Sequence, residues 1–572
     1  MVMLALSLLA ATAMEPRAAG PALSRSDVVF MYQADRKTYA DYGATVLAWG
    51  GKPDAKALAE AKGVRWLGSV GMVTEFNRYH DRFPETYAEA LCRDIDGKPV
   101  KVPWLTDHQH KGIPYWWCCT NQPQFRTYLR ERVIETIKAG AEGLHVDDHM
   151  GTSGGLWLGV CFCDRCVAGF RGHLAAQPPD RRGALAKADA ATYDFRADVR
   201  AWLAAAPGRQ PSQHPAWPVW TAYQCKAAAA LMAELRATAE AAAGKPVPVG
   251  ANAGLLWPLH LADYKVLDLF SAETDHHAAG GRPSDAPILA YRLADAVGRP
   301  YAATASGGDW AYVQEKQLHG LVRHWIALGY AAGHRLMAPH RQWCYTPEKG
   351  THWYQGPAER FAPLYRFVRE NAWLFDGYEA YADVDLLMPH RSFRNGPQPW
   401  IDAASRLAAA NVAFRLVLAG DEIVHKPLAT GELSTRRPLV APDRDKLDPA
   451  DARLLERRAT RGGVYDTVDA AMATLHPAVK AVAPGAVRAF SRVKRGSAVV
   501  HLLNYAYDDK ADDVTPQANV TLTLDLKALG VPAAREARVY APGREPQTLP
   551  VRDGRVVVPT LGLWAIVALG KP

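Results

Sequence analysis

Eight short apolar segments recur between residues 27 and 340, and each of them ends in polar or small residues. Most are separated by amphipathic stretches, rich in Ala and Leu, whose apolar residues follow the period of a helix. This alternation predicts a (β/α)8 TIM barrel; a doubly wound open sheet is the alternative, because periodicity alone does not show closure. The predicted strands are residues 28–33, 44–50, 64–71, 143–149, 246–254, 267–276, 299–306 and 334–340.

The pattern changes twice after the barrel segment, which we place at residues 25–377. Residues 378–484 again alternate strand and helix but contain no Gly-rich phosphate loop, which predicts a small flavodoxin-like α/β domain without a nucleotide. Residues 485–572 consist of short apolar runs separated by Gly, Pro and Asp, which predicts a C-terminal β-sandwich. A chain of 572 residues is long enough for these three domains.

The first residues have the pattern of an export signal. Residues 4–10 form an apolar run, and Ala11-Thr12-Ala13 gives it a small-x-small end, although no basic residue precedes the run. We therefore predict a signal peptide at residues 1–20 and a secreted or periplasmic location. No later run is long and apolar enough to span a membrane, so no membrane partner is expected.

Composition narrows the range of partners. Lysine and arginine are scattered without a basic run, and the net charge is only +8, which argues against nucleic acid. The chain has 17 tryptophans and 23 tyrosines, several in predicted loops, where such side chains suit flat amphipathic ligands such as sugar rings. The predicted partner is a carbohydrate, and a homo-oligomer through the flavodoxin-like domain is left open. The candidate stacking residues are Trp49, Trp257, Trp310 and Trp343.

Two predicted strands end in carboxylates. The fourth ends in Asp147-Asp148-His149, and the sixth contains Glu273 and Asp275. A buried parallel strand delivers such groups to the C-terminal mouth of a barrel, where barrel enzymes carry their chemistry. Because side chains alternate along a strand, at most one of Asp147 and Asp148 is expected to point straight into the mouth. The simpler interpretation is that both only cap the next helix or pair with arginines.

A cysteine cluster follows the fourth strand. Cys161, Cys163 and Cys166 form a C-x-C-x2-C motif within a chain of eight cysteines. An even number of cysteines in an exported chain normally indicates disulfides, but this spacing favours thiolates converging on a metal. The motif therefore predicts a structural zinc.

The order of these parts resembles the family 42 β-galactosidases. The specific motif of the resemblance runs from Cys161 through Cys163 and Cys166 to Phe170-Arg171. It implies a barrel, a flavodoxin-like domain and a β-sandwich in a glycoside hydrolase. In that family an upstream fourth cysteine completes the zinc site, and Cys118 or Cys119 would supply it here.

The catalytic motifs depart from that family. It has Asn-Glu after the fourth strand, with Glu as general acid/base, and Asp148-His149 stands there in this chain. Its nucleophilic Glu, expected near residues 305–307, is also missing. The Gly-x-x-Gly-x-x-x-Asp form of residues 140–147 is instead similar to the fourth strand of α-glycosidase-type barrels, in which an Asp is the nucleophile. The resemblance thus implies the fold and the reaction class and leaves the substrate open.

Glycoside hydrolysis needs two carboxyl groups that face one cleft. We predict Asp147 as nucleophile or base and Glu273 as acid, with Asp148 and Glu75 as the second choice. Glu273 could equally bind a sugar hydroxyl or pair with Arg341. The predicted substrate-binding residues all lie near strand ends: Trp49, His149, Asn252, Asp275, His276, Asp309, Trp310, His340 and Arg341.

Two other functions stay open. A zinc-dependent hydrolase could use Asp147, His149, His276 and Glu273 as ligands, because His and carboxylates at strand ends also bind metals. The first strand lacks the His-x-His pair that such enzymes carry, so the carboxylate pair is favoured. The departures from the family also leave a non-catalytic carbohydrate-binding protein open.

Overall fold

The computed structural model describes residues 23–570 except 53, 55–62, 180–181, 397 and 435. The predicted signal peptide therefore lies outside the described residues. Eight parallel strands pair in chain order, and a parallel bridge between Phe30 and Ala338 joins the last to the first, which confirms the TIM barrel. The strands are β1 (Val29–Phe30), β2 (Val46–Leu47), β3 (Arg65–Gly71), β4 (Gly143–Asp147), β5 (Val249–Ala251), β6 (Leu269–Thr274), β7 (Tyr301–Ala305) and β8 (Arg335–Leu336). Each falls inside one of the eight predicted segments.

Strand β4 packs closely against its neighbours. A Cβ on Gly143 would lie 2.5 Å from the carbonyl oxygen of Pro248, so only glycine allows the start of β4 to approach that backbone. The register then runs without a shift from Leu67 opposite Gly143 to Gly71 opposite Asp147. This fixes Asp147 at the C-terminal end of the strand.

Helices surround the barrel, and local side chains cap some of them. Asp35 accepts a hydrogen bond from the backbone N–H of Thr38 at the start of the first helix, and Ser306 does the same for Asp309 at the eighth. The helices are α1 (Arg36–Tyr42), α2 (Phe76–Arg82), α3 (Pro123–Lys138), α4 (Asp164–Ala175), α5 (Phe195–Ala204), α6 (Trp217–Ala243), α7 (Ala286–Ala296), α8 (Gly307–Lys316), α9 (His319–Ala331) and α10 (Ala358–Glu370). In the part of the chain that the structure describes, none of the helices has the length and apolarity needed to cross a membrane.

The connections at the C-terminal mouth are long. The one after β3 contains α2 and a small hairpin of Gln109–His110 and Ile113–Pro114, and the one after β4 contains α4, α5 and α6. After β8 the chain forms an antiparallel hairpin, β9 (Arg341–Thr346) and β10 (Gly350–Gln355), that the sequence pattern did not predict. These segments form the walls of the mouth.

The α/β segment that follows the barrel contains a four-stranded parallel sheet. Its strands are β12 (Val384–Pro389), β13 (Phe414–Ala419), β14 (Leu439–Val440) and β15 (Val464–Tyr465), in the order β13-β12-β14-β15. The helices α11 (His390–Asn395), α12 (Pro399–Ala409), α13 (Pro449–Ala459) and α14 (Val468–Met472) connect or follow them. This is the predicted flavodoxin-like arrangement.

The C-terminal part is a β-sandwich of a six-stranded and a three-stranded sheet. Its strands are β11 (Glu379–Ala380), β16 (Val479–Val482), β17 (Val487–Lys494), β18 (Ser497–Asn504), β19 (Gln517–Leu524), β20 (Glu536–Ala541), β21 (Arg544–Pro550), β22 (Arg555–Leu561) and β23 (Trp564–Gly570). Two of them, β11 and β16, precede residue 485, where the sequence placed the start of this domain. The sandwich packs on the barrel through Trp564, whose ring stacks on Tyr330 at 6.4 Å. The domain junctions near 377 and 484 stay predictions.

Candidate active site

A cavity of about 480 Å³ opens at the C-terminal ends of the barrel strands. Its carboxyl groups come from the ends of β4 and β6, and its aromatic lining comes from the segments after β1 to β5 and from the β9–β10 hairpin. The lining residues are Met31, Tyr32, Trp49, Thr74, Trp104, Leu105, Trp117, Asp147, Asp148, His149, Met150, Gly151, Gly154, Trp157, Asn252, Gly254, Trp257, His260, Glu273 and Trp343. A few carboxyl groups within an aromatic wall are the composition of a ligand site.

Asn252 connects the two predicted catalytic carboxyl residues. Its Nδ2 donates a hydrogen bond to Oδ1 of Asp147 at 3.1 Å. Its Oδ1 accepts one from the backbone N–H of Glu273 at 3.4 Å. The backbone N–H of Asp148 also donates to Oδ1 of Asp147 at 3.1 Å. The ends of β4 and β6 are therefore tied together through the residue that follows β5.

The surroundings of Glu273 and Asp147 affect the pKa values of the two carboxyl groups differently. Burial, and then the charge of Asp147, raises the pKa of Glu273 to about 8. Burial also raises the pKa of Asp147, but the hydrogen bonds from Asn252 and from the backbone of Asp148 oppose that shift. Glu273 is thus suited to donate a proton at neutral pH, and Asp147 is the better stabilised anion.

Asp148 also lines the cavity, which strand alternation did not predict. Its φ of +51° leaves the extended geometry of β4, so the side chain does not turn to the outer face as a continued strand would require. Its Oδ2 is buried without a hydrogen-bond partner. Burial, followed by the charges of Asp147 and Glu273, raises the pKa of Asp148 well above its usual value.

Glu75, the second-choice acid, is held outside the cavity lining. Its Oε2 accepts hydrogen bonds from Nε of Arg132 and from the hydroxyl of Tyr128, both at 2.8 Å. Both partners belong to α3, so Glu75 connects the start of α2 to that helix. This is a structural ion pair rather than a position from which a proton could reach a ligand in the cavity.

Two of the predicted substrate-binding residues, Trp49 and His149, line the cavity and also contact neighbouring polar residues. The ring of Trp49 stacks on His145 at 4.5 Å. Nδ1 of His149 lies 3.1 Å from the carbonyl oxygen of Asn252, which orients the residue that bridges the carboxyls. Burial alone would lower the pKa of His149, but the adjacent carboxylate of Asp263 raises it.

Six other predicted substrate-binding residues do not line the cavity. Asp309 accepts hydrogen bonds from the backbone N–H groups of His276 and Ala278, so it fixes the loop after β6. Trp310 is buried and donates to Oγ1 of Thr304. Of the remaining four, Asp275 is exposed, His276 packs on Trp325 and His340 packs on Phe30. Arg341 lies over the ring of Trp353 and does not pair with Glu273.

Several lining aromatics were not singled out from the sequence. Trp104 and Trp117 come from the connection after β3, and Trp157 comes from the one after β4. In the sequence, these tryptophans could be recognised only as residues of long loops at the mouth. A position in such a loop does not indicate whether the side chain points into the cavity. Of the four predicted stacking residues, Trp49, Trp257 and Trp343 line the cavity.

Four cysteine sulfurs converge beside the cavity wall. The Sγ atoms of Cys119, Cys161, Cys163 and Cys166 lie within 4.8 Å of one another, and all four residues are buried. Cys119 Sγ is 3.8 Å from that of Cys163 and 3.5 Å from that of Cys166. Tetrahedral zinc, with Zn–S bonds of about 2.3 Å, needs sulfurs roughly 3.8 Å apart, so the donor set fits this metal. Cys118 lies outside the group, although it is also buried.

Polar groups around the cluster donate hydrogen bonds to its sulfurs, although burial raises the pKa of Cys161 and Cys166 well above the usual value. Nδ2 of Asn121 donates to Cys166 Sγ at 3.2 Å, and the backbone N–H of Arg93 donates to Cys161 Sγ at 3.3 Å. Hydrogen bonds from Cys161 and the other cluster thiols hold the pKa of Cys119 well below its usual value. Such donors commonly support metal-bound thiolates.

The predicted zinc-hydrolase ligands do not come together. Among the described residues, two groups of His, Cys, Asp or Glu bring their ligand atoms close enough to share an ion: the four cysteines, and His80 with Asp81 and His110. Neither group contains Asp147, His149, His276 or Glu273. His276 instead directs Nδ1 at the carbonyl oxygen of Thr274.

Comparison with known proteins gives relatives of low identity and a clear fold. No protein-family model matches the chain. An alpha-agarase from Thalassotalea agarivorans is 22% identical, and one from Alteromonas agarilytica is 21% identical, each over 95% of this chain. The chain spans only about two fifths of these relatives, 40% and 41% of their length.

Solved structures resemble the chain over nearly its whole length. The β-galactosidase from Rahnella sp. R3 has a TM-score of 0.59 at 12% identity and covers 96% of this chain and 98% of its own. A catalytic mutant of Gan42B, a family 42 β-galactosidase from G. stearothermophilus, has a TM-score of 0.62 at 9% identity and covers 96% and 99%. This likeness confirms the architecture that the family resemblance implied.

Proposed function

We propose that the chain is a glycoside hydrolase that cleaves O-glycosidic bonds of a poly- or oligosaccharide. The observation that carries the proposal is that Asp147 and Glu273 line one aromatic-walled cavity and that Asn252 hydrogen-bonds the carboxylate of Asp147 and the backbone N–H of Glu273. Names of the relatives support the reaction class, since they include alpha-agarases and β-galactosidases. Agar oligosaccharides are therefore the first substrates to test.

Each carboxyl has a role that its surroundings support. Glu273, protonated at neutral pH, donates its proton to the leaving glycosidic oxygen. Asp147, oriented by Asn252, attacks the anomeric carbon or activates a water molecule. Asp148 adds a third carboxyl at the same wall, where it can bind a sugar hydroxyl in its protonated form.

The proposal includes a structural zinc held by Cys119, Cys161, Cys163 and Cys166 and a secreted or periplasmic location. When bound, the metal would cross-link the loop after β4 to the segment before α3. No step of the reaction runs through it. A homo-oligomer through the flavodoxin-like domain stays a prediction.

The function is tested by assaying the purified chain on agar oligosaccharides and a panel of aryl glycosides. Hydrolysis that Asp147→Asn removes supports the proposal, whereas binding without turnover of any glycoside favours a carbohydrate-binding protein. Hydrolysis that a chelator abolishes, while the fold stays intact and the four cysteines keep their zinc, would favour the metal-dependent hydrolase.

We expect kcat/KM to fall as pH rises past about 8, because Glu273 then loses the proton that it must donate. The acidic limb should lie above the usual range of an aspartate, because burial raises the pKa of Asp147. The measurement is a pH profile on a substrate with a poor leaving group. In Glu273→Gln the residual rate should show no basic limb; a limb that persists there at the same pH contradicts the assignment.

Glu273→Gln should also stabilise the fold at alkaline pH. The folded-state pKa of about 8 lies above the usual 4.5, so the folded chain binds the proton more tightly than the unfolded chain. Stability therefore falls as pH rises between these values, and the neutral amide removes that loss. Thermal unfolding at pH 5 and pH 9 should show a gain for the variant at pH 9 only. An equal effect at both values would contradict the raised pKa.

A further inference from the structure

Tryptophans are unusually exposed around the mouth of the barrel. Trp157 and Trp257 are 62% and 66% exposed although both line the cavity, and Trp353 is 38% exposed. Trp353 is an edge-to-face neighbour, at 5.1 Å, of Tyr32, which also lines the cavity. Large aromatic faces left in water near a cavity indicate a surface that a ligand covers.

These three residues come from different sides of the mouth. Trp157 follows β4 and Trp257 follows β5, whereas Trp353 lies on β10, in the hairpin after β8. In a closed barrel of eight strands in sequential order, the eighth strand stands opposite the fourth. The carboxyl residues at the ends of β4 and β6 therefore lie within a mouth that has exposed aromatic rings on both sides.

Neighbouring side chains flank two of the rings. The guanidinium of Arg341 lies 4.1 Å from the ring centre of Trp353, while Tyr32 meets the same ring edge-on. The ring of Trp257 is nearly parallel to that of His260, with 6.3 Å between their centres. A ring that is already oriented loses little conformational entropy when a flat ligand stacks on it.

We infer that Trp157, Trp257 and Trp353 form a sugar-binding surface on both sides of the carboxyl pair, so that the substrate is a polysaccharide chain bound across the mouth and cut at an internal bond. This inference rests on the proposed function. The flat C–H face of a sugar ring matches the face of an exposed indole. A cavity of about 480 Å³ has the size of a small-ligand site, so further sugar units must lie on its rim.

The test compares Trp157→Ala and Trp353→Ala with wild type on agar oligosaccharides of increasing length and on an aryl galactoside. Each variant should raise KM for long oligosaccharides roughly tenfold to thirtyfold, as loss of an aromatic contact of about 1.4–2 kcal/mol would. For Trp353→Ala, whose ring lies outside the cavity lining, turnover of the aryl galactoside should fall far less than turnover of long oligosaccharides. Early products from the polymer should be oligosaccharides of mixed length.

The matched control is Trp373→Ala, because Trp373 is similarly exposed, at 37%, but packs on Tyr540 of the sandwich. Rim variants that behave like this control, or release of single units from the chain end from the start, would overturn the inference. Binding of the same oligosaccharides to Asp147→Asn, measured by calorimetry, separates the two proposals. Tryptophan-dependent binding without hydrolysis of any glycoside by wild type would support the surface and refute the proposed function.

Discussion

We expect replacement of Asp147 by Ala to lower the turnover of every glycoside that the wild-type chain hydrolyses by a factor on the order of 10⁴ or more. The reason is that no leaving group compensates for a missing nucleophile or base. Asn252 and the backbone N–H of Asp148 orient the carboxylate of Asp147 by donating hydrogen bonds to its Oδ1. The alanine variant has no carboxylate for these two donors to orient. Initial rates on an activated aryl glycoside and on an oligosaccharide provide the measurement.

Glu273→Gln provides the contrasting result. Without the acid, substrates with poor leaving groups should lose far more rate than activated aryl glycosides, roughly 10²–10⁴-fold for the former. Asn252→Ala should lower both rates, because it removes the hydrogen bond to Asp147 and the acceptor for the backbone of Glu273. Glu75→Gln, which alters an ion pair outside the cavity, serves as the control and should affect stability more than rate.

Azide distinguishes a nucleophile from a base. If Asp147 attacks the anomeric carbon, azide should restore turnover of an activated substrate by Asp147→Ala and give a glycosyl azide of inverted configuration. A retaining pair stands about 5–5.5 Å apart and an inverting pair about 6.5–9.5 Å, so the stereochemistry of the wild-type product checks the same assignment. Near-wild-type rates in Asp147→Ala would refute it, and Asp148 with Glu273 would become the pair to examine.

The sequence predicted the barrel well because the signal is repeated. All eight strands fall inside the predicted segments, since an apolar run followed by an amphipathic helix constrains each unit in the same way. The β9–β10 hairpin was missed because its buried residues, Gln342 and Cys344 in β9 and Tyr354 in β10, do not form an apolar run. Its omission also hid Trp353.

The sequence predicted cavity-lining residues correctly only where the direction of a strand determines which way the side chain points. Asp147 and Glu273 lie at strand ends whose register aims them at the mouth. Asp309 and Trp310 also follow a strand, but Ser306 starts a helix there, so Asp309 turns back onto the backbone of His276. Strand alternation predicted that Asp148 points away from the mouth if Asp147 points into it. The positive φ of Asp148 breaks that alternation, and a hydrophobic period in the sequence does not indicate a positive φ. Strand-end position alone does not separate these cases.

Loss of the cysteine cluster is the second large effect that we expect. Cys163→Ser should remove the metal and lower the melting temperature by on the order of 10 °C, because zinc binding to such a site contributes directly to folding free energy. The four buried sulfurs bring together the loop after β4 and the segment before α3, so the metal would cross-link two segments that are distant in sequence. Metal analysis together with thermal unfolding provides the measurement.

The neighbouring cysteine supplies a matched control. Cys118 is buried beside Cys119 but lies outside the group of converging sulfurs, so Cys118→Ser should keep one zinc per chain. Equal metal content and equal melting temperatures in the two serine variants would refute the assignment, as would disulfides among the four cysteines in mass spectrometry of the native chain.

The cluster should also affect activity, because its contacts reach the cavity wall. Oγ1 of Thr152 donates to Cys119 Sγ at 3.5 Å, and Nε1 of Trp117 donates to the carbonyl oxygen of Gly151 at 3.2 Å. Trp117 and Gly151 both line the cavity, and Gly151 follows Asp148 closely in the chain. Metal removal should therefore raise KM and lower kcat together, at a temperature where the fold persists. Restoration by added zinc, with return of the native tryptophan fluorescence, completes the test.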